Sequence, residues 1–110
     1  MSVDIFEYTD FKLFLREAYE AKKKEWKHFS HRYIAQKGEF SSGYFAKLSQ
    51  GQSSLTPDKV PVIAEIFGLF GDRREYFRVL ALYNQAKSET DREKYYFDLN
   101  RIRKSYQTLV

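Results

Sequence analysis

The fold of this 110-residue chain is decided by one stretch, residues 29–51, which reads FSHRYIAQKGEFSSGYFAKLSQG. Ser30 is a good N-cap for a first short helix, and Gly38-Glu39-Phe40 ends that helix. Ser41 or Ser42 then caps a second short helix, because a serine hydroxyl accepts from the first free backbone amides. The stretch therefore predicts two short helices joined by a tight turn.

The apolar positions of this stretch indicate how the two helices meet. Ala35 is small and lies in the middle of the first helix, where two crossing helices need close approach. Phe40, Phe45 and Leu48 occupy the positions that lock the pair together. This spacing is typical of a helix-turn-helix.

The rest of the chain also predicts helices. Caps followed by apolar residues three and four apart place helix starts at Thr9, at Thr56-Pro57-Asp58, at Asp72 and at Ser88 or Thr90. No segment alternates apolar and polar residues between turn signals, so we expect an all-α fold of five to six helices. The predicted inward residues of these helices are Phe11, Phe14, Leu15, Ala18, Val60, Ile63, Ala64, Phe67, Tyr76, Phe77, Leu80 and Ala81.

Composition excludes several classes of protein. With 43% hydrophobic and 31% charged residues the chain is neither disordered nor fibrous, and its length predicts a single helical domain over residues 1–110. The chain has no cysteine, which excludes disulfides and favours a reducing, cytoplasmic location. No apolar run approaches about 18 residues, so we expect no membrane partner.

The net charge of +4 permits a polyanionic partner, and its distribution points to the centre of the chain. Residues 30–60 carry four basic and two acidic side chains, and His31 besides. A surface that faces phosphates needs few acids as well as several bases. The central third of the sequence meets both conditions.

The order of residues over helices one to four resembles the lambda-repressor-like (Cro/C1-type) helix-turn-helix family. The resemblance covers about Phe11 to Leu69 and rests on Ser30, Ile34-Ala35, Phe40-Ser41, Phe45, Leu48, Gly51, Leu55-Thr56-Pro57 and Ile63-Ala64 with Phe67-Gly68-Leu69. More narrowly, the opening residues 4–11 with Phe14-Leu15 and the later 83–87 look like a bacterial family of uncharacterised transcriptional regulators. The helix-turn-helix then spans residues 30–50, and the C-terminal helices, residues 72–108, support the domain or dimerise.

The resemblance implies a partner and a set of contacts. In this family the second helix of the pair enters the major groove, so double-stranded DNA is the implied partner. Lys47 is the best candidate for a base or phosphate contact, and a solvated surface lysine is the alternative. Tyr44 either packs against sugar or a thymine methyl, which we favour slightly, or lies half-buried in the core. The full candidate set is His31, Arg32, Ser41, Ser42, Gly43, Tyr44, Lys47, Gln50, Gln52, Ser53, Ser54 and Lys59.

Two positions depart from the family pattern. Glu39 stands in the turn where the family usually has glycine, and Gly38 precedes it. Because a glutamate with positive φ is strained, this arrangement predicts a shifted turn. Gly43 replaces a residue that often reads a base, which favours backbone binding over sequence-specific readout.

Other functions have weaker support in the sequence. We expect no enzyme, no cofactor and no metal, because the chain lacks a cysteine nucleophile, metal-ligand spacing and a Gly-rich phosphate loop. The basic run Lys22-Lys23-Lys24 with Lys27-His28 is a solvated helix end or, as the less favoured alternative, a phosphate clamp. A stripe of Tyr95, Tyr96, Leu99, Ile102 and Tyr106 is core or a homodimer face, and the alternative function is a protein-interaction module that has lost DNA binding.

Overall fold

A computed structural model describes residues 3–109 of the chain, with side chains over residues 3–107. All regular secondary structure in that part is helical, which confirms the predicted all-α class. A 3₁₀ helix opens the described part and six α-helices follow it. The bounds are Ile5–Glu7 for the 3₁₀ helix, then α1 Phe11–Glu25, α2 His31–Gly38, α3 Tyr44–Ser49, α4 Val60–Ile66, α5 Asp72–Asn84 and α6 Glu89–Leu109.

The start of α1 differs by one residue from the prediction. The cap is Asp10, whose Oδ1 accepts from the backbone N–H of Lys12 at 2.9 Å, so the prediction of a Thr9 cap is wrong. A carboxylate at this place also lies near the positive end of the helix dipole. Lys22, Lys23 and Lys24 lie in the last turn, where cations are favourable.

The start of α4 is displaced further. Residues 57–59 form a turn, in which the N–H of Lys59 donates to the Thr56 carbonyl at 3.0 Å. The helix itself begins only at Val60, so the predicted start at Thr56-Pro57-Asp58 is wrong. Thr56, Pro57 and Asp58 thus lie before the helix, and Pro61 occupies the first turn of α4 instead.

The start of α6 agrees with one of the two predicted caps. The Ser88 hydroxyl accepts from the N–H of Asp91 at 3.1 Å, which is an N-cap contact and selects Ser88 over Thr90. α6 then packs along α5 through buried Leu99 and Ile102, and Tyr106 is partly buried against the core.

One core holds these elements together. Every residue predicted to face inward on α1, α4 and α5 is buried, so those helical faces are confirmed. From the two short helices, Ile34, Phe45 and Leu48 enter the same core. α3 is only six residues long and therefore depends on this burial for its stability.

A feature that the sequence did not predict is the fastening of the N-terminal segment to the α5–α6 hairpin. The Phe6 ring stacks on Tyr106 with centroids 4.1 Å apart. The Tyr76 hydroxyl donates to the Tyr8 carbonyl at 2.6 Å and accepts from the Arg103 guanidinium at 2.6 Å. Burial raises the pKa of Tyr76 although Arg103 opposes the shift, so this hydroxyl stays a neutral donor.

Among the helices described, none is both long enough and apolar enough to span a lipid bilayer.

Candidate nucleic-acid interface

The α2–α3 pair agrees with the sequence prediction at its first cap and at Phe45 and Leu48, while Phe40 is only half-buried. The Ser30 hydroxyl accepts from the N–H of Tyr33 at 3.1 Å, which confirms Ser30 as the N-cap of α2. Ile34 faces inward from α2, and Phe45 and Leu48 face inward from α3. Buried contacts therefore fix the position of the second helix against the first.

The turn between the helices is not shifted, contrary to the expectation from Glu39. Glu39 takes the left-handed conformation itself, with φ 57° and ψ 42°. Gly38 serves another purpose, because a Cβ there would lie 2.3 Å from the Phe40 ring. The glycine thus permits close approach of Phe40, and the glutamate carries the backbone strain.

The cap of α3 also differs from the prediction. Gly43 is the N-cap, and no side chain makes a cap hydrogen bond there, so the prediction of a Ser41 or Ser42 cap is wrong. A backbone bond from the N–H of Tyr44 to the Ser41 carbonyl, at 3.1 Å, closes the preceding turn instead. Both serine side chains are exposed and are not used in capping.

The outward face of α3 consists of Gly43, Lys47 and Gln50. Their spacing of four and three residues puts them on one side of the helix, opposite buried Phe45 and Leu48. All three are exposed, and a Cβ at Gly43 would have no heavy atom within 4 Å. This side of α3 is therefore open to solvent.

The remaining candidate residues surround this face with different exposure. The His31 ring is exposed at one side but packs against Tyr19 and Phe45, with centroids 4.7 and 5.4 Å away. It is thus held in place beside α3. The exposed candidates are His31, Arg32, Ser41, Ser42, Gly43, Lys47, Gln50, Gln52 and Ser54, and the half-buried ones are Tyr44, Ser53 and Lys59.

Tyr44 is half-buried, which is the alternative that the sequence analysis favoured less. Its hydroxyl donates to the Ser54 carbonyl at 3.1 Å, and the Lys59 ammonium lies 4.8 Å from its ring centroid. Burial, and then the nearby Asp58 carboxylate, raise the pKa of Tyr44. The ring therefore ties α3 to the following loop.

α1 supports α3 through contacts that the sequence did not reveal. The Arg16 guanidinium donates to the Ser49 carbonyl at 2.7 Å, at the C-terminal end of α3. The Tyr19 ring lies 5.7 Å from Phe45, nearer the N-terminal end. α1 and α3 hence run antiparallel along this edge, and Arg16 satisfies a carbonyl that the end of the helix leaves free.

Two amide side chains at the end of α5 hold backbone segments on either side of the site. Gln85 accepts from the N–H of Leu55 at 2.7 Å and donates to its carbonyl at 3.0 Å. Asn84 accepts from the N–H of Phe11 at 2.7 Å and donates to the Thr9 carbonyl at 2.9 Å. The sequence contained this Asn84-Gln85 pair but no pattern that identified its partners.

Basic side chains on α5 and α6 differ from those between residues 30 and 60 in whether a carboxylate lies beside them. Ion pairs one helical turn apart occur on α5 and α6, namely Glu75–Arg78, Glu89–Arg92 and Asp98–Arg101. In the part of the chain that the structure describes, the bases between residues 30 and 60 have no carboxylate within 4.0 Å. Arg32, Lys37 and Lys47 thus keep their charge available to an anionic partner, whereas Lys59 interacts with the neighbouring Asp58 carboxylate.

Comparisons of the chain with models of known protein families, with curated proteins and with solved structures found no match.

Proposed function

We propose that the chain binds double-stranded DNA through α2 and α3, as the helix-turn-helix domain of a bacterial transcriptional regulator acting in the cytoplasm. The observation that carries this proposal is the exposed outward face of α3, Gly43, Lys47 and Gln50, on a helix anchored from behind by buried Phe45 and Leu48. A short, rigidly held helix with a free outward face can enter a major groove without rearrangement.

The chemistry of the surrounding surface supports a phosphate backbone as the main contact. His31 and Arg32 on α2, and Ser54 after α3, are exposed donors around the same face. Such groups bind phosphate oxygens and fix the register of a protein on a duplex. Because Gly43 offers no side chain at the start of α3, we propose semi-specific binding in which Lys47 supplies the main base or phosphate contact. The role is one of binding, with no catalytic step.

The test is a fluorescence-anisotropy titration of random and genomic duplexes at about 50 mM salt, where the electrostatic part of binding is large. We expect the logarithm of the association constant to fall linearly with the logarithm of the salt concentration. Lys47→Ala and His31→Gln should weaken binding and leave the far-UV circular dichroism unchanged. Absence of binding at this salt concentration would overturn the proposal.

A second candidate function has an observation of its own. Tyr96 and Phe97 on α6 are 45% and 68% exposed, although the same helix buries Leu99 and Ile102. Adjacent exposed aromatic side chains are typical of surfaces that bind another protein. We propose as the alternative that α6 docks a protein partner or a second copy of the chain, and a dimer would also bring two α3 faces to one duplex.

Analytical ultracentrifugation distinguishes these roles of α6. Phe97→Glu should shift a concentration-dependent dimer to monomer if a second copy is the partner, and a wild-type monomer at all concentrations would exclude it. DNA binding per monomer should survive Phe97→Glu, because the substituted side chain lies outside α2 and α3.

A further inference from the structure

The basic run at the end of α1 is not one surface, because consecutive helical residues point about 100° apart. Lys22 is half-buried, and its ammonium lies 5.9 Å from the Phe29 ring, beside Ile66 of α4. Lys24 is exposed on the outer side of α1, where it shares a shallow surface with Glu17 and Glu20. These two lysines therefore face away from α3 or lie among carboxylates.

Lys23 faces the remaining direction, toward α2 and α3. Its ammonium lies 3.4 Å from the Tyr19 hydroxyl and 5.6 Å from the centroid of that ring. The Tyr19 ring in turn contacts His31 and Phe45, with centroids 4.7 and 5.7 Å away. A continuous series of contacts thus connects Lys23 with the start of α2 and with α3.

The antiparallel course of α1 and α3 determines which end of α3 Lys23 approaches. Arg16 contacts Ser49, and Tyr19 contacts Phe45, so the matched position moves toward the N-terminus of α3 as α1 proceeds. Lys23 lies four residues beyond Tyr19, which is about 6 Å further along α1. It is exposed, and no carboxylate of the described residues lies within 4.0 Å of its ammonium.

We propose that Lys23 extends the DNA-binding surface onto α1 and binds a backbone phosphate next to the one that His31 contacts. This inference rests on the proposed function, because it needs a duplex across α2 and α3. The Tyr19 hydroxyl accepts from the Lys23 ammonium at 3.4 Å and the ring of the same tyrosine packs on His31, so the lysine is partly ordered before it meets a phosphate. Lys22 and Lys24, with the same charge and adjacent positions, take no part.

The experiment compares Lys23→Ala, Lys22→Ala and Lys24→Ala in anisotropy titrations with a duplex of about 20 base pairs between about 50 and 200 mM salt. Each variant removes one positive charge, so a general effect of net charge would be equal in all three. Loss of one phosphate contact should weaken binding about tenfold at about 50 mM salt and lower the salt slope by about one for Lys23→Ala alone. Lys23→Arg should keep wild-type affinity and slope.

The outcomes separate this inference from the proposed function. Wild-type binding with equal, small losses in the three alanine variants overturns the role of Lys23 and leaves binding through α2 and α3 intact. Loss in Lys24→Ala as large as in Lys23→Ala has the same meaning, because it shows a general charge effect. A wild-type chain that does not bind the duplex at all overturns both.

Discussion

The helices of the α2–α3 pair and those of the α5–α6 hairpin are stabilised by different interactions. α6 is 21 residues long, packs along α5 and neutralises part of its charge through pairs such as Asp98–Arg101. α3 has six residues and no side-chain cap, and it is held by buried Phe45 and Leu48 and by a hydrogen bond from Arg16. The hairpin is thus stabilised largely by packing between α5 and α6 and by ion pairs within these helices. The short pair is stabilised largely by contacts with neighbouring elements.

The two kinds of stabilisation leave different side chains available to a partner. A helix that is fixed from behind can leave its outward side chains free of structural contacts, as Lys47 and Gln50 are. Three bases of the hairpin, Arg78, Arg92 and Arg101, by contrast have carboxylates one turn away at Glu75, Glu89 and Asp98. We therefore expect an anionic partner to bind the α2–α3 surface in preference to these paired bases of the hairpin.

We expect the largest loss of stability from truncating one fully buried leucine in each region. Leu48 and Leu99 are both fully buried, so Leu48→Ala and Leu99→Ala should each lower the free energy of unfolding by about 2–5 kcal/mol in urea denaturation. Only Leu48→Ala should also weaken DNA binding of the protein that remains folded, because it loosens α3. Equal loss of DNA affinity in the two variants would contradict the separate roles of the two regions.

The next effect concerns the amide side chains that connect the regions. Gln85→Ala leaves the N–H and carbonyl of Leu55 without partners and should cost about 1–3 kcal/mol of stability. It should also speed hydrogen exchange of the Leu55 amide. Asn84→Ala is the matched control, since it frees the Thr9 carbonyl and the Phe11 amide instead. Faster exchange at Leu55 in the control would show that the loop is not held by Gln85 alone.

The smallest effect tests the strain in the turn. Glu39→Gly should raise the free energy of unfolding by about 0.5–1 kcal/mol, because glycine adopts positive φ without steric penalty. Glu39→Gln removes the charge and keeps the side chain, so it should not stabilise the protein. If Glu39→Gln raises the free energy of unfolding as much as Glu39→Gly does, the carboxylate charge and not the backbone conformation is the source of the effect.

The sequence predicted the parts of this comparison that depend on local patterns. Apolar spacing identified the buried faces of α1, α4 and α5, and the Ser30 and Ser88 caps followed from the same rules. Three predicted helix starts were wrong, namely those at Thr9, at Ser41 or Ser42, and at Thr56. In each case a neighbouring carboxylate or a backbone carbonyl accepts from the amide that the hydroxyl was expected to reach.

The support of the candidate site could not be predicted for a different reason. Arg16 contacts a residue 33 positions later, and Gln85 contacts one 30 positions earlier. Single side chains that bond distant backbone groups leave no periodic trace in a sequence. The prediction of a shifted turn at Glu39 was wrong, because the glycine at position 38 is required by the Phe40 ring and not by the backbone conformation.

Amide chemical-shift mapping with a short duplex at about 50 mM salt tests DNA binding through α2 and α3, since electrostatic binding is strong there and each backbone N–H reports its own surroundings. Binding through α2 and α3 predicts that the perturbed amides cluster at residues 41–54 and at His31, and that the outer face of α6 is unchanged. Perturbations concentrated on Glu89–Leu109, or none at all, would contradict it.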